Sequence, residues 1–105
     1  MTDALAAAIR NALRSVIDPE LGYNIVDLGL VYDICVQDGC IASITMTTTT
    51  PGCPATRYLK DGAANSAWGV PGIELVNVEL TYDPAWTPEM MSPEAKTALG
   101  FAACH

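Results

Sequence analysis

The chain has 105 residues, half of them hydrophobic, and its twelve acidic and five basic side chains give a formal net charge of −7 at pH 7. This length and composition predict one domain over residues 1–105 with one hydrophobic core, and they exclude an intrinsically disordered protein. The shortage of Lys and Arg excludes an electrostatic surface for nucleic acid or anionic membranes. No apolar run is long enough to span a bilayer and no signal-peptide core is present, so we expect a mature cytoplasmic protein with reduced cysteines.

The first predicted element is a helix over residues 2–16. Its apolar residues recur at spacings of three and four, as on one face of an amphipathic helix: Leu5, Ile9, Leu13 and Val16. The segment 17–24 breaks this helix, because Asp18 precedes a proline and is therefore held in an extended conformation. Residues 25–29 continue as an ordered apolar loop or a short strand.

A β-hairpin follows, and its first strand is predicted over residues 30–36. Residues 37–39 are predicted to form a three-residue loop with Gly39 in the left-handed conformation. In that register one face of the hairpin carries the alternate residues Tyr32, Ile34, Val36, Cys40, Ala42, Ile44 and Met46. Cys35 then points away from Cys40, which argues against a disulfide between them.

A second helix is predicted over residues 54–68, ending near Gly69. Pro54 suits the first helical position, which places Cys53 at the N-cap. The apolar stripe of this helix consists of Ala55, Leu59, Ala63 and Ala67. A helix N-terminus favours the thiolate, the form of cysteine that attacks electrophiles and binds soft metals. Cys53 is therefore the leading functional candidate, and the alternative is an inert small residue at a helix start.

The last elements are a third strand over residues 74–82, where apolar and polar side chains alternate, and a short helix. That helix opens at Ser92, with a proline next in the sequence, and closes at Gly100. The order α-β-β-α-β-α predicts a small two-layer α+β domain, in which helices pack on one face of a three-stranded sheet.

Four separated segments resemble the metal–sulfur cluster biosynthetic domain family, which includes the SufT-type iron–sulfur maturation factors and the PaaD-like proteins of aromatic-degradation operons. These segments are residues 18–20, 24–33, 49–54 and 86–92. The resemblance implies an α-β-β-α-β core and a role in maturing or delivering clusters to client proteins. It also implies a functional pocket of family motif residues, which on this chain are Asp18, Glu20, Leu21, Thr49, Thr50 and Cys53. The secondary candidates are Asn24, Asp27 and Trp86.

One thiol beside two carboxylates and two hydroxyls could bind iron, which tolerates mixed sulfur and oxygen ligands, whereas zinc more usually recruits histidine or further cysteines. A cluster usually takes about four cysteine ligands. Any iron or cluster on Cys53 would therefore be transient, or shared across a homodimer or with a client. We predict a non-enzymatic factor without a permanently bound cofactor, whose partners are the iron–sulfur assembly machinery or client apoproteins.

Three other functions stay open at this point. The main alternative is a PaaD-like accessory subunit of a multicomponent aromatic-ring oxygenase, although the chain lacks the additional cysteine-rich C-terminal segment that this branch often carries. A cysteine-dependent enzyme is disfavoured, because the sole histidine is the last residue, His105, which is either native or the remnant of a tag, and a carboxylate is a poor base for a thiol. The third is an acidic module that docks a basic partner.

The candidate residues also have structural interpretations. Asp18 could organise the turn before Pro19, and Glu20 could be a solvated charge. Thr49 could simply finish a strand, and Trp86 could anchor a loop to the core.

Overall fold

The computed structural model describes residues 2–49, 52 and 54–100. The elements in chain order are helix α1 (Thr2–Leu13), strands β1 (Ile17–Asp18), β2 (Tyr23–Asn24), β3 (Val31–Gln37) and β4 (Ile41–Met46), helix α2 (Thr56–Trp68), strand β5 (Leu75–Leu80), a 3-10 turn (Pro88–Met90) and helix α3 (Pro93–Leu99). The predicted α+β class is confirmed, with a two-stranded sheet, β1 and β2, that the sequence pattern did not predict. No helix in the described ranges is long and apolar enough to cross a membrane.

The larger sheet has the order β3-β4-β5. Strands β3 and β4 form the predicted antiparallel hairpin, whereas β5 runs parallel to β4. A parallel neighbour requires a crossover connection, and α2 supplies it. Helix α1 packs against β3, α2 packs against β5, and the two helices pack against each other. This arrangement places the core between the two helices and one face of the sheet.

Side chains alternate across the sheet as predicted, with apolar residues facing the helices. The buried core residues of the sheet and of the two helices include Ile9, Leu13, Val36, Ala42, Ile44, Met46, Leu59, Ala63 and Ala67. The apolar stripe predicted for α2 is therefore confirmed in its last three positions, whereas Ala55 is the N-cap of the helix. Gly62, also on α2, lies so close to Val16 that an added Cβ would be 3.2 Å from a valine methyl group.

The hairpin register differs by two residues from the prediction. Gln37 pairs with Ile41, so the loop covers residues 38–40 and not 37–39. Asp38 and Gly39 both have positive φ, 54° and 72°, which is the pair of left-handed residues that a type I′ turn requires. Because an even register shift returns each side chain to the same face, the predicted core face is still formed.

A bulge in β3 changes the predicted place of one aromatic residue. Val31 pairs with Met46 and Asp33 with Thr45, which leaves Tyr32 as the extra residue. The Tyr32 hydroxyl donates a 2.8 Å hydrogen bond to the Pro84 carbonyl. The bulge therefore connects β3 to the segment after β5.

Two cysteines lie in the described part of the chain, and both are free thiols. Cys35 is exposed on β3, and Cys40 is half-buried in the hairpin loop. The prediction that they are not joined by a disulfide is confirmed.

Both major helices are shorter than predicted. Helix α1 ends at Leu13 because the next three N–H groups donate to carbonyls three residues earlier, which tightens the last turn. Helix α2 begins at Thr56, and its N-cap is Ala55. The prediction that Cys53 is the N-cap is therefore wrong: Pro54 belongs to the turn that precedes the helix and does not start it. The effect of a helix dipole falls off within about one turn. Because α2 begins three positions after Cys53 in the sequence, its dipole supports a thiolate at Cys53 less strongly than the prediction assumed.

Candidate functional site

Asp18 lies at the end of β1 and is almost completely buried, with 1% of its surface exposed. Its Oδ1 accepts a 2.7 Å hydrogen bond from the Glu20 N–H, and its carbonyl accepts one of 2.7 Å from the Gly22 N–H. These bonds turn the chain from β1 into β2, as an Asp before a proline often does. One of the two carboxyl oxygens of Asp18 therefore organises the turn, as the structural interpretation of this residue predicted.

The second oxygen of Asp18 is different. Oδ2 is buried and has no hydrogen-bond partner among the residues that the structure describes. Leaving a buried polar atom unpaired costs about 1–3 kcal/mol, and more for a charged group. Native structures rarely contain such atoms without a functional reason or an unseen ion or water. Oδ2 is therefore the atom that most directly indicates a ligand in this part of the fold.

The acidic loop that contains Asp18 and Glu20 contacts the end of β4. The Thr49 hydroxyl donates a 3.2 Å hydrogen bond to the Glu20 carboxylate, which joins two predicted site residues that are 29 positions apart in the sequence. Glu20 is otherwise exposed, and Leu21 is half-buried and packs against the core. The other two predicted pocket residues, Thr50 and Cys53, lie outside the residues that the structure describes.

Burial and hydrogen bonds hold the threonine residues that precede Thr49 in place. Strand β4 ends at Met46, and both Thr47 and Thr48 are buried. The Thr47 N–H donates a 2.8 Å hydrogen bond to the Leu30 carbonyl, and the Thr48 hydroxyl shares one of 2.9 Å with the Tyr82 hydroxyl. The segment that leads to Thr49 is therefore held by β3 on one side and by the end of β5 on the other.

Thr48 and Tyr82 were not among the sequence candidates. The sequence does contain an indication of this pair: a run of hydroxyl residues comes directly after an apolar strand. Such hydroxyls become buried, and a buried hydroxyl needs a hydrogen-bond partner. Tyr82 could be recognised as that partner only once the parallel pairing of β5 with β4 is known.

Asn24 and Asp27, two secondary candidates, form a closed turn. The Asn24 Oδ1 accepts from the Asp27 N–H at 2.9 Å, and the Asn24 Nδ2 donates to the Asp27 Oδ2 at 2.8 Å. Arg14 donates to the Asp27 Oδ1 at 3.0 Å. The hydrogen bond from Asn24 is the largest cause that lowers the pKa of Asp27 below its ordinary value of 3.8; burial opposes it, and Arg14 adds to it. These contacts give both residues a structural role.

The lowered pKa predicts a pH-dependent effect of Asp27→Asn. The ionised carboxylate stabilises the fold at neutral pH, and this contribution is lost as the pH falls below 3.8 and through the lower folded-state pKa. Since Arg14 is half exposed, we expect a loss of only about 1 kcal/mol at neutral pH. Urea unfolding should show this difference near pH 7 and a smaller one in acid. A difference that grows in acid would contradict the role given to Asp27.

Trp86, the last secondary candidate, is a structural anchor. Its indole N–H donates a 2.7 Å hydrogen bond to the Leu28 carbonyl, which ties the segment after β5 to the segment after β2. Trp86→Phe should lower the free energy of unfolding by about 1 kcal/mol, because the half-buried carbonyl loses its donor. Trp68→Phe is the control, since Trp68 is 52% exposed and should change stability by less than about 0.5 kcal/mol. Equal effects in urea unfolding would contradict this role of the indole N–H.

The described residues do not complete a metal site by themselves. Within them, no three Asp, Glu, Cys or His side chains are close enough together to hold a metal ion. Two predicted donors, Asp18 and Glu20, are on the same short loop, and the thiol predicted to join them lies outside that set. Further ligands would have to come from Cys53, from solvent or from a partner.

Comparison with known proteins identifies the family. The family described as iron–sulfur cluster assembly protein matches residues 6–80. A relative in Bacillus subtilis, named Fe-S protein maturation auxiliary factor YitW, is 41% identical over 100 residues, which cover 95% of this chain and 98% of the relative. The Staphylococcus aureus Fe-S protein maturation auxiliary factor SufT is 44% identical over 85 residues, which cover 81% of this chain and 97% of the relative.

The fold is similar to a solved structure as well. The crystal structure of the domain of unknown function DUF59 from Bacillus anthracis superposes with a TM-score of 0.91, at 39% sequence identity and with 94% of both chains covered. The family match spans well over half of this chain, and both relatives are covered almost completely. The chain belongs to the iron–sulfur cluster assembly protein family.

Proposed function

We propose that this protein is an iron–sulfur cluster maturation factor that binds iron or a cluster transiently through Asp18, Glu20 and Cys53. The observation that carries the proposal is the buried Asp18 Oδ2, for which the described part of the chain provides no hydrogen-bond partner. The relatives are named Fe-S protein maturation auxiliary factors, which supports the same class of function. The partners are then the assembly machinery and client apoproteins, and no catalytic residue is required.

The electrostatics of the loop favour a cation. A metal ion near Oδ2 would remove the penalty of an unpaired buried oxygen, and it would stabilise both the carboxylates and a thiolate. Glu20 is exposed and is held by a single hydroxyl, that of Thr49, in the contacts described above. Its carboxylate can therefore turn to a metal ion at the expense of one weak hydrogen bond.

The small donor set explains why the cargo would be transient. Two carboxylates and one thiol leave coordination positions open on iron, and they fall short of the four thiolates that usually hold a cluster. Open positions allow cysteines of a client to bind the metal before it leaves this protein.

Anaerobic reconstitution with ferrous iron and sulfide, followed by metal analysis, tests the thiol ligand. We expect Cys53→Ala to retain several-fold less iron than the unchanged protein. Cys35→Ala is the matched control, because that thiol is exposed on the sheet and should not affect iron uptake. Equal uptake by the Cys53→Ala variant and the unchanged protein would remove Cys53 from the ligand set.

A further inference from the structure

The basic residues of this chain are segregated from its sheet. All five Lys and Arg side chains lie on helices or directly after α1: Arg10, Arg14, Arg57, Lys60 and Lys96. Strands β3, β4 and β5 contain none of them. The face of the sheet that points away from α1 and α2, which we call the outer face, therefore carries acidic charge only.

The outer face has an ordered pattern of three rows in register across the strands. The rows are Asp33–Thr45–Glu79, Cys35–Ser43–Asn77 and Gln37–Ile41–Leu75. In the first row the residues on the two outer strands, Asp33 and Glu79, are acidic. In the last row two of the three residues, Ile41 and Leu75, are apolar. Asp33 and Glu79 are exposed, and Leu75 is 45% exposed. The face thus offers charge at one end and apolar surface at the other.

The dimensions of the outer face match one α-helix. The acidic and apolar rows are four residues apart along each strand, which corresponds to about 13 Å. A helix rises about 1.5 Å per residue, so residues seven or eight apart lie on one side at a similar spacing. Three strands are about 10 Å wide between their outer axes, which is close to the diameter of a helix.

We propose that the outer face docks a basic amphipathic helix of a partner protein. Its apolar side chains would lie on Ile41 and Leu75, and Lys or Arg residues two turns away would pair with Asp33 and Glu79. Charge complementarity selects this occupant, because nucleic acid would be repelled and because a net charge of −7 disfavours a second copy of this chain. That the partner is a client or an assembly protein rests on the proposed function, whereas the docking chemistry does not.

The contact should be weak and sensitive to salt. The outer face is smaller than the roughly 800 Å² that each partner buries in a standard stable interface. Its charge pairs would be solvent-exposed and therefore screened by ions. A short-lived contact of this kind suits a protein that hands over its cargo.

A synthetic peptide tests the proposal on the full chain. The probe is a capped, helix-forming peptide of about 18 residues with two leucines on one side and two arginines about two turns further along the same side. Titrated into the nitrogen-15-labelled protein, it should shift amide resonances of β3, β4 and β5 and bind more weakly as salt rises. The Asp33→Asn/Glu79→Gln variant should weaken binding at least about fivefold. The Asp61→Asn/Glu94→Gln variant, which removes two helix acids, should stay within about twofold.

Several results would overturn the docking proposal. They are the absence of saturable binding, shifts confined to α1 and α2, and equal weakening by the two double variants. A dimer of the free chain in sedimentation would also overturn it if the amide resonances of β3, β4 and β5 shift with protein concentration, because a second copy would then be the occupant. The peptide should bind Cys53→Ala as tightly as the unchanged protein, so failure of the iron site and failure of the docking surface are distinguishable.

Discussion

Gly29→Ala is expected to lower the free energy of unfolding by about 3 kcal/mol or more. Gly29 has a φ of +80°, and a Cβ at this position would lie 2.3 Å from the Met90 carbonyl oxygen and 2.8 Å from its carbon. Both contacts are with backbone, so a side-chain rotation cannot relieve them. Urea unfolding measures the loss directly, as a lower midpoint with an unchanged slope.

Gly22→Ala is the matched control. Gly22 has a similar φ of +70°, but a Cβ there would meet no atom within 4 Å. Its substitution should therefore show only the left-handed backbone penalty of about 1 kcal/mol. If the two alanine variants unfold at the same urea concentration, the close packing of Gly29 on Met90 does not stabilise the fold.

Asp18→Asn is expected to separate stability from iron binding. Asparagine keeps an acceptor for the Glu20 N–H and replaces the buried carboxylate oxygen by a neutral NH2 group. The relief of the buried charge and the cost of an unpaired donor oppose each other, so the free energy of unfolding of the metal-free protein should change by no more than about 1 kcal/mol. Ferrous iron should bind at least about tenfold more weakly, because a proposed carboxylate ligand is lost. Anaerobic titration calorimetry and urea unfolding of the same sample measure both quantities.

The control for this experiment is Asp61→Asn, which removes an exposed carboxylate on α2 and should change neither quantity. The role proposed for Asp18 would be contradicted if Asp18→Asn unfolded much more easily and bound iron as tightly as the unchanged protein. Asp18 would then be a turn residue only, as its Oδ1 contact already allows.

Local patterns predicted most of the elements. The cap of α3 is an example: the Ser92 hydroxyl accepts a 3.1 Å hydrogen bond from the Ala95 N–H, and Gly100 ends the helix with a φ of 83°. Both features depend on neighbours within a few residues, so the sequence alone contains the necessary information. The alternation in β5 was predictable for the same reason.

Two kinds of feature were not predictable from the sequence: those with an ambiguous local signal and those that depend on distant contacts. The start of α2 was misplaced because a proline can serve a turn as well as a first helical position. The bond between Thr48 and Tyr82 forms only when the parallel pairing of β4 and β5 brings their ends together. The bond between Glu20 and Thr49 forms only when the turn between β1 and β2 packs against the segment after β4. The family resemblance drew attention to Asp18, but only the fold shows that one of its oxygens is buried without a partner in residues 2–49, 52 and 54–100.

Client maturation in cells tests the central claim most directly. The native gene is replaced by a Cys53→Ala allele, and the activity of iron–sulfur enzymes is measured under iron limitation at equal levels of the factor. We predict a several-fold loss of activity with Cys53→Ala and normal activity with a Cys40→Ala control, because Cys40 lies in the hairpin loop, outside the proposed ligand set and the three rows of the outer face. Normal iron–sulfur enzyme activity in the Cys53→Ala strain would contradict a role of this thiol in cluster maturation.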